Sequence, residues 1–414
     1  MMKFKEKDTL NVSIEKLDHF GNGLTKVENQ YIFVKNALPK EKVRIEITNV
    51  KKKFLNANMI EVITPSIDRV SVPCPYYEFC GGCQVMHQVY LKQLEFKKEK
   101  VIELFQKFAG IRDLEIENIY SGKQFSYRNK VVFHGKNQIL GLYKEKSNDL
   151  VEVEKCLLVE EDISQIYYKI KEYLKKNPDT KIDDLTIRKT SLNEYMVIIN
   201  GTLDLKPFLA YLDGFLVKSV YLNQRCIYGD EYIIEEVFGL KFRIYRNAFF
   251  QVNYEMMKTL YQLVMDYYQD KEYQTVLDLY CGTGTIGMLV SSYVKKVIGV
   301  EVVHDSILAA NQNKMINQLS NITFFEGKVE DRISQFQNID SIILDPPRSG
   351  LDEKTRRTIL KIAPKSIVYI SCDPVTLARD LKELFKDYII EKVNLVDMFP
   401  NTYHIESVCM LSRR

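Results

Sequence analysis

Thr275-Val-Leu-Asp-Leu-Tyr-Cys-Gly-Thr-Gly-Thr-Ile-Gly287 is an apolar strand that passes through an acid and a tyrosine into a glycine-rich turn. A turn of that kind between a buried strand and a helix opens a ligand pocket in parallel α/β sheets. The alternation continues on both sides of it. A helix striped with apolar residues runs from Tyr254 to Tyr268, a second from Thr285 to Tyr293, and a third from His304 to Leu319. Between and after them come the strand-like runs Lys296-Val-Ile-Gly-Val-Glu301, Ile322-Thr-Phe-Phe, Ser341-Ile-Ile-Leu-Asp345 and Ser366-Ile-Val-Tyr-Ile-Ser371. Continuous apolar strands separated by helices predict a doubly wound, Rossmann-like parallel sheet over residues 247–414, with its ligands beyond the C-terminal strand ends.

The chemistry-bearing residues fall at those ends. Asp278 precedes the glycine turn, and Glu301 closes the next strand, where an acid grips a ribose hydroxyl pair. A turn that starts from Asp-Leu-Tyr suits S-adenosylmethionine, which has a ribose and an amino acid moiety but no phosphate, better than it suits a dinucleotide. Tyr280 either packs on that ligand or is a core aromatic. Asp345-Pro-Pro-Arg348 leaves a buried strand stiffly, because two prolines restrict the backbone at Asp345 and Pro346. Arg348 stands where enzymes that methylate exocyclic amines place an aromatic, which argues against amine chemistry. Cys372 ends its strand and precedes Pro374, a residue suited to the first turn of a helix. The positive end of that helix is expected to lower the thiol pKa and make Cys372 a nucleophile.

A methyl donor beside a thiolate points to carbon 5 of uracil. Addition of the thiolate to carbon 6 makes carbon 5 nucleophilic, and a base must then remove the carbon 5 proton before the thiol leaves. Glu406, in Tyr403-His-Ile-Glu-Ser-Val408, is the first candidate for that base and His404 the second.

The N-terminal third reads differently. Residues 10–63 alternate apolar and polar in short runs punctuated by Gly21-Asn-Gly23 and Leu38-Pro-Lys-Glu41, which predicts a small closed β-barrel over residues 1–64 that binds nucleic acid. Residues 65–246 mix strands with a helix around Ile163 to Lys175 and are expected to form an α+β central domain. A helix over 87–110 within that span is expected to pack on the catalytic domain. The net charge of +3 does not by itself announce a nucleic-acid protein, but its distribution is informative. Residues 1–60 hold twelve Lys/Arg against seven Asp/Glu, and residues 119–144 hold five basic residues and no acid. Within the latter, Tyr127-Arg128-Asn129-Lys130 is either an RNA-contacting patch, through Arg128 and Lys130, or a strand edge. No run of eighteen apolar residues occurs, and the N-terminus has no apolar signal core, so no membrane partner and a cytoplasmic, monomeric protein are expected.

Three cysteines cluster as Cys74-x5-Cys80-Gly-Gly-Cys83, and the next along the chain is Cys156. Four thiolates in a reducing compartment suit a [4Fe-4S] cluster, or tetrahedral zinc, although zinc clips have two to four intervening residues; buried thiols are the third reading. A radical enzyme would leave one iron without a cysteine, so four cysteines favour a structural cluster.

In order along the chain, the barrel, the cysteine set, Asn247-Ala-Phe-Phe-Gln-Val-Asn253, the glycine turn, Asp-Pro-Pro-Arg, Ser371-Cys-Asp-Pro374 and His404-Ile-Glu406 resemble the iron-sulfur RNA uracil-5 methyltransferases. The likeness is strongest to the bacterial 23S rRNA enzymes that begin with a TRAM barrel. The resemblance implies that Gln251, Tyr280, Glu301 and Asp345 contact S-adenosylmethionine, that Cys372 is the nucleophile and that Glu406 accepts the proton. It also implies that Phe249 stands near the target base and that Cys74, Cys80, Cys83 and Cys156 hold the [4Fe-4S] cluster. Lys328 departs from members that carry a small or amide residue near the adenine. The same family includes tRNA enzymes, so tRNA is the alternative substrate to 23S rRNA; a non-catalytic RNA-binding protein is the reading from another class.

Overall fold

The computed structural model describes residues 4–414, and the chain divides into two compact units. The first comprises residues up to Val101 with the short stretches Tyr143–Asn148 and Phe399–His404; the second holds the rest.

The first unit is built on a six-stranded sheet. Its strands are Thr9–Ser13, Lys16–Leu17, Gly23–Val27, Gln30–Lys35, Lys42–Val50 and Phe54–Thr64, and in space they run first, fifth, sixth, fourth, third, second. The two outer strands are consecutive in the chain, and Glu15 between them donates its amide to Leu24 O, so the sheet closes on itself. Closure needs curvature. Three register shifts between Lys42–Val50 and Phe54–Thr64 supply it, because each bulge bends its strand. The period-two pattern predicted from the sequence puts Val12, Ile32, Val34, Val43, Ile45, Ile47 and Leu55 inside.

In the second unit, a seven-stranded sheet takes the order Leu150–Glu152, Ile139–Tyr143, Lys130–Lys136, Lys181–Lys189, Tyr195–Thr202, Val217–Leu222, Arg225–Gly229. The helix Glu161–Lys176 buries Ile163, Ile166, Tyr167, Ile170 and Leu174, and the Tyr167 ring stacks on Phe133 at 3.8 Å.

This unit also holds the antiparallel pair Tyr232–Val237 and Leu240–Tyr245 and an eight-stranded sheet. Its order is Ile322–Glu326, Lys296–Glu301, Thr275–Leu279, Ser341–Leu344, Ser366–Ser371, Glu406–Arg413, Tyr388–Val396 and Asn118–Tyr120. The first five strands are parallel, as their unbroken apolar runs predict; Glu406–Arg413 is antiparallel to Ser366–Ser371. The last strand was not legible in the sequence: Asn118–Tyr120 pairs with Tyr388–Val396 across more than half the chain. The helix read over 87–110 is α-helical over Tyr90–Leu104 and ends in a π-helical turn, Phe105–Ala109, that lies against the helix Pro374–Leu384. Among the described residues, no helix is long and apolar enough to cross a membrane.

Candidate active site

Strand order places five candidate site residues in a row. Glu301 ends one strand, Asp278 lies one residue from the end of the next, and Asp345 and Cys372 follow immediately after the two beyond. Glu406 opens the antiparallel strand, so its start lies at the same sheet edge as the ends of the others, and Ser407 pairs with Ser371 beside Cys372. Neighbouring strands are about 5 Å apart, so Cys372 sits between carboxyls from either side.

Asp278, Glu301 and Glu406 are buried, and Asp345 is half-buried beside them. Desolvation pushes Asp278 up to about 8, helped by the charges of Asp345 and Glu301 and opposed by the Gly287 amide, which donates to Asp278 Oδ2 at 3.0 Å. Desolvation takes Asp345 to about 7. Glu406 rises to about 8 by burial and the Asp345 carboxyl, against the Arg348 guanidinium. Like charges gathered in low dielectric cannot all ionise, and such clusters mark functional sites. Glu301 differs. Its Oε1 accepts the Val302 and Val303 amides at 2.8 Å each and its Oε2 the Gly282 amide at 3.1 Å. A carboxylate has about four lone-pair positions, so roughly one stays open for a ligand hydroxyl.

The glycine turn works in two ways. A Cβ at Gly287 would meet Asp278 Oδ2 at 2.7 Å, so that glycine serves the Asp278 contact, whereas a Cβ at Gly282 would meet nothing within 4 Å. Open space over a backbone turn is what an approaching ligand needs. Tyr280, before the turn, has φ of 62°, a strained conformation for a side-chain-bearing residue. Burial raises its hydroxyl pKa, with Asp352 and Thr355 as neighbours, so the hydroxyl is directed to the start of the helix Glu353–Ile362.

Cys372 departs from expectation. Its thiol is pushed up to about 11, by burial and by the Glu406 carboxylate, with Arg348 pulling the other way. The helix start does not serve it, because Asp373 caps that helix: Asp373 Oδ1 accepts the Val375 amide at 2.8 Å and the Thr376 amide at 3.3 Å. The positive end of the dipole is spent on Asp373. Arg348 takes over as the cation at the thiol. The loop that carries it is pinned, as Thr376 Oγ1 donates to Arg348 O at 3.2 Å and Arg379 to Ser349 O at 2.8 Å. Buried Asp380 accepts the Leu351 amide at 2.8 Å and pairs with Arg356 at 3.0 Å, which fixes the same loop from below.

The Asn247–Asn253 segment is held from two directions. Asn253 caps the helix Tyr254–Gln269 through Met256 N and donates to Met398 O at 3.1 Å. Gln251 is buried, and its carbonyl accepts from Asn129 Nδ2 at 3.4 Å. Phe249, in contrast, is 70% exposed, an unusual state for an aromatic in a fixed loop. Arg128 bridges to both Val159 and Asn253, so the Tyr-Arg-Asn-Lys stretch is a backbone tie as well as a basic patch. Lys130 is lowered to about 8 by burial and by Arg188, its cross-strand partner. Lys328 is exposed at the N-terminus of the short helix Val329–Arg332.

Three contributors escaped the sequence reading. Tyr261, buried and facing Asp345, Asp278 and Glu406, is hidden in an apolar helical stripe. Arg188 lies within the alternating strand Lys181–Lys189, which carries no motif, and the Arg348–Cys372 contact depends on a loop path that spacing does not encode.

The cysteine set is spread over both units. Among the described residues, no three or more His, Cys, Asp or Glu side chains are gathered so as to hold a metal ion. Cys74, Cys80 and Cys83 are partly exposed residues of the first unit, and Cys156 belongs to the second. The tight Gly81-Gly82 turn does form, and the Gly82 amide donates to Cys80 Sγ at 3.4 Å.

Comparison with known proteins agrees with this geometry. Residues 218–414 match the family described as tRNA (Uracil-5-)-methyltransferase, and residues 3–60 match the TRAM domain. An RNA methyltransferase of Staphylococcus aureus strain N315 is 36% identical over 100% of both chains. One from Bacillus cereus strain ATCC 10987 is 33% identical over 99% of this chain and 97% of its own. The crystal structure of Pyrococcus abyssi tRNA (uracil-54, C5)-methyltransferase in complex with S-adenosyl-L-homocysteine is 26% identical. It covers 97% of this chain and 100% of its own, with a TM-score of 0.81.

Proposed function

Because the chain belongs to the TRAM-containing RNA uracil-5 methyltransferases, an S-adenosylmethionine-dependent family, we propose that it methylates carbon 5 of a uridine in 23S rRNA through a Cys372 adduct. The observation that carries this reading is the row Glu301, Asp278, Asp345, Cys372, Glu406 along one sheet edge.

S-adenosylmethionine, when bound, supplies an electrophilic methyl group. Glu301 and Asp345 would hold its polar parts, with Gln251 and Tyr280 beside it, and the open lone pair of Glu301 and the space over Gly282 fit that assignment. Cys372 Sγ forms a bond to carbon 6, and the electron pair of the carbon 5–carbon 6 double bond passes into the ring enolate. Carbon 5 is then nucleophilic. After methylation, Glu406 takes the carbon 5 proton, the ring double bond re-forms and the sulfur–carbon 6 bond breaks. A carboxyl displaced to about 8 is a strong base for that step once ionised. Arg348 stabilises the attacking thiolate, a role the resting pKa of about 11 makes necessary.

A base reaches Cys372 only out of its stack, so the target is an unpaired or flipped uridine; the exposure of Phe249 supports its stacking on that base, and Arg128 and Lys130 are assigned to the phosphates. The TRAM barrel and the cysteine set favour rRNA; the Pyrococcus relative's substrate keeps tRNA as the second reading. We assign residues 1–64 to the barrel, 65–246 to a central domain and 247–414 to catalysis. The Cys74-x5-Cys80-x2-Cys83 spacing and the amide-to-sulfur bond at Cys80 support a [4Fe-4S] cluster completed by Cys156.

Incubation with 5-fluorouridine-substituted rRNA and tRNA decides the core of this proposal. A covalent complex lost in Cys372→Ala is the expected result, and its persistence in that variant would overturn the assignment. Absorbance of anaerobically purified protein near the thiolate-to-iron bands tests the cluster, and a colourless, fully active enzyme would remove it.

A further inference from the structure

The first unit has a pocket for which the chemistry above has no use. Phe20, Tyr403, Gln84, Glu145, Lys35 and Lys146 line a cavity of about 180 Å³. All six belong to that unit.

Phe20 is 61% exposed, yet it is fixed rather than mobile surface. Asp18 Oδ1 accepts the amides of Phe20 at 2.9 Å and Asn22 at 2.8 Å, which locks the turn that presents the ring. Gly21 turns there with φ of 85°, and a Cβ on it would strike Val85 at 2.7 Å. Tyr403 meets the Phe20 ring edge-on, centroids 5.5 Å apart. Its own position is set from behind: Lys100 Nζ stands 5.0 Å over the Tyr403 ring and donates to Tyr403 O at 2.9 Å. Gln93 and Asn401 exchange two hydrogen bonds that fix the same stretch. The result is a pre-organised aromatic corner facing solvent.

The polar lining is asymmetric. Gln84 Nε2 is engaged with Gly81 O at 2.9 Å, whereas its buried Oε1 has no donor among the described residues. Leaving a buried acceptor unmade is costly, so a site with one is built for a donor. Glu145 lies between Lys35 at 3.0 Å and Lys146 at 3.4 Å, and its carboxylate has acceptor capacity left. A carboxylate repels a phosphate inside the pocket. The set therefore calls for a planar ring to stack, N–H donors on its edge, and negative charge outside for the lysines.

Resting on the reading of RNA as the substrate, we propose that this cavity receives one unpaired, amine-bearing nucleobase of the RNA, stacked on Phe20. Adenine, guanine and cytosine each present an exocyclic amine to Gln84 Oε1 and Glu145. Uracil has a single ring N–H and fits worse, so the site reads a nucleotide other than the one methylated.

The chain contains no tryptophan, so Phe20→Trp gives the full-length protein a single indole at the pocket. Its fluorescence should be quenched by short single-stranded oligoadenylate and oligocytidylate, about tenfold more weakly by oligouridylate, and not by an abasic ribose-phosphate strand. In Phe20→Ala, KM for the rRNA transcript should rise roughly 5- to 150-fold, the ratio equivalent to the ~1–3 kcal/mol of one base on one aromatic. Equal quenching by the abasic strand, no response to any RNA (as a protein occupant would give), or an unchanged KM would each overturn the proposal. Should Phe20→Ala fail to fold, the Phe20→Trp titration alone decides. A wild-type protein that methylates no uridine would sink the parent reading instead, and the titration, which needs no turnover, still tests the pocket.

Discussion

Replacing Asp345 with asparagine should make the unliganded protein more stable at pH 8 while abolishing methyl transfer. The fold holds this carboxyl at about 7, against 3.8 for an unburied aspartate, because desolvation penalises its charge. A raised pKa means the folded state binds the proton more tightly than the unfolded chain does. Stability from that proton is complete below about pH 4 and drains away as the pH climbs through 7. A displacement of that size corresponds to at most ~4 kcal/mol, and part of it is shared, since Asp345 also raises Asp278 and Glu406. Asp345→Asn removes both the desolvation cost of its own charge and its repulsion of Asp278 and Glu406. Urea unfolding at pH 8 should show the variant about 2–4 kcal/mol more stable than wild type, and at pH 4 the two should agree within ~1 kcal/mol. Equal effects at both pH values, or destabilisation at pH 8, would refute the argument that a buried carboxylate is held there under strain.

The thiol responds to its neighbours in opposite directions: iodoacetamide labelling of Cys372 at pH 8.5, read by peptide mass spectrometry, should speed up in Glu406→Gln and slow in Arg348→Ala, each by roughly tenfold for about one pKa unit. Asp373→Ala uncaps the helix Pro374–Leu384; we expect ~1 kcal/mol lower stability in urea and a more reactive Cys372, whose thiolate then faces uncapped amides. Asp380→Asn breaks the buried pair with Arg356 and should cost about 3–5 kcal/mol by the same measurement. S-adenosylhomocysteine titrated by calorimetry should bind Glu301→Ala at least tenfold more weakly, because one ligand hydroxyl and three backbone amides lose their acceptor together.

Much of this was readable because it is local. Parallel strands announce themselves as unbroken apolar runs, and the residues at their C-terminal ends, Glu301, Asp345 and Cys372, follow once the strands are set in order. The barrel was legible for the same reason, through alternation and turn residues. What escaped depends on contacts between distant segments. Asn118–Tyr120 is three residues long, too short to carry a pattern, and becomes a strand only against Tyr388–Val396. Helix position predicted a low pKa for Cys372; the Asp373 side chain intercepts the amides, and burial between Asp345 and Glu406 reverses the sign. Tyr261 reads as one more apolar position until the three carboxyls are seen around it.

The borrowed strand Asn118–Tyr120 has a consequence for anyone dissecting this chain. The recognisable catalytic match starts at residue 218, a hundred residues after that strand. A fragment cut there would keep every residue of the active-site row and lose the cover of Tyr388–Val396, leaving a row of unpaired amides and carbonyls as a template for a second copy. Self-association, rather than loss of a catalytic group, is then the expected failure of such a fragment. On the ribosome the order is reversed: the covering strand is made first and waits unpaired until the C-terminal strands arrive to receive it.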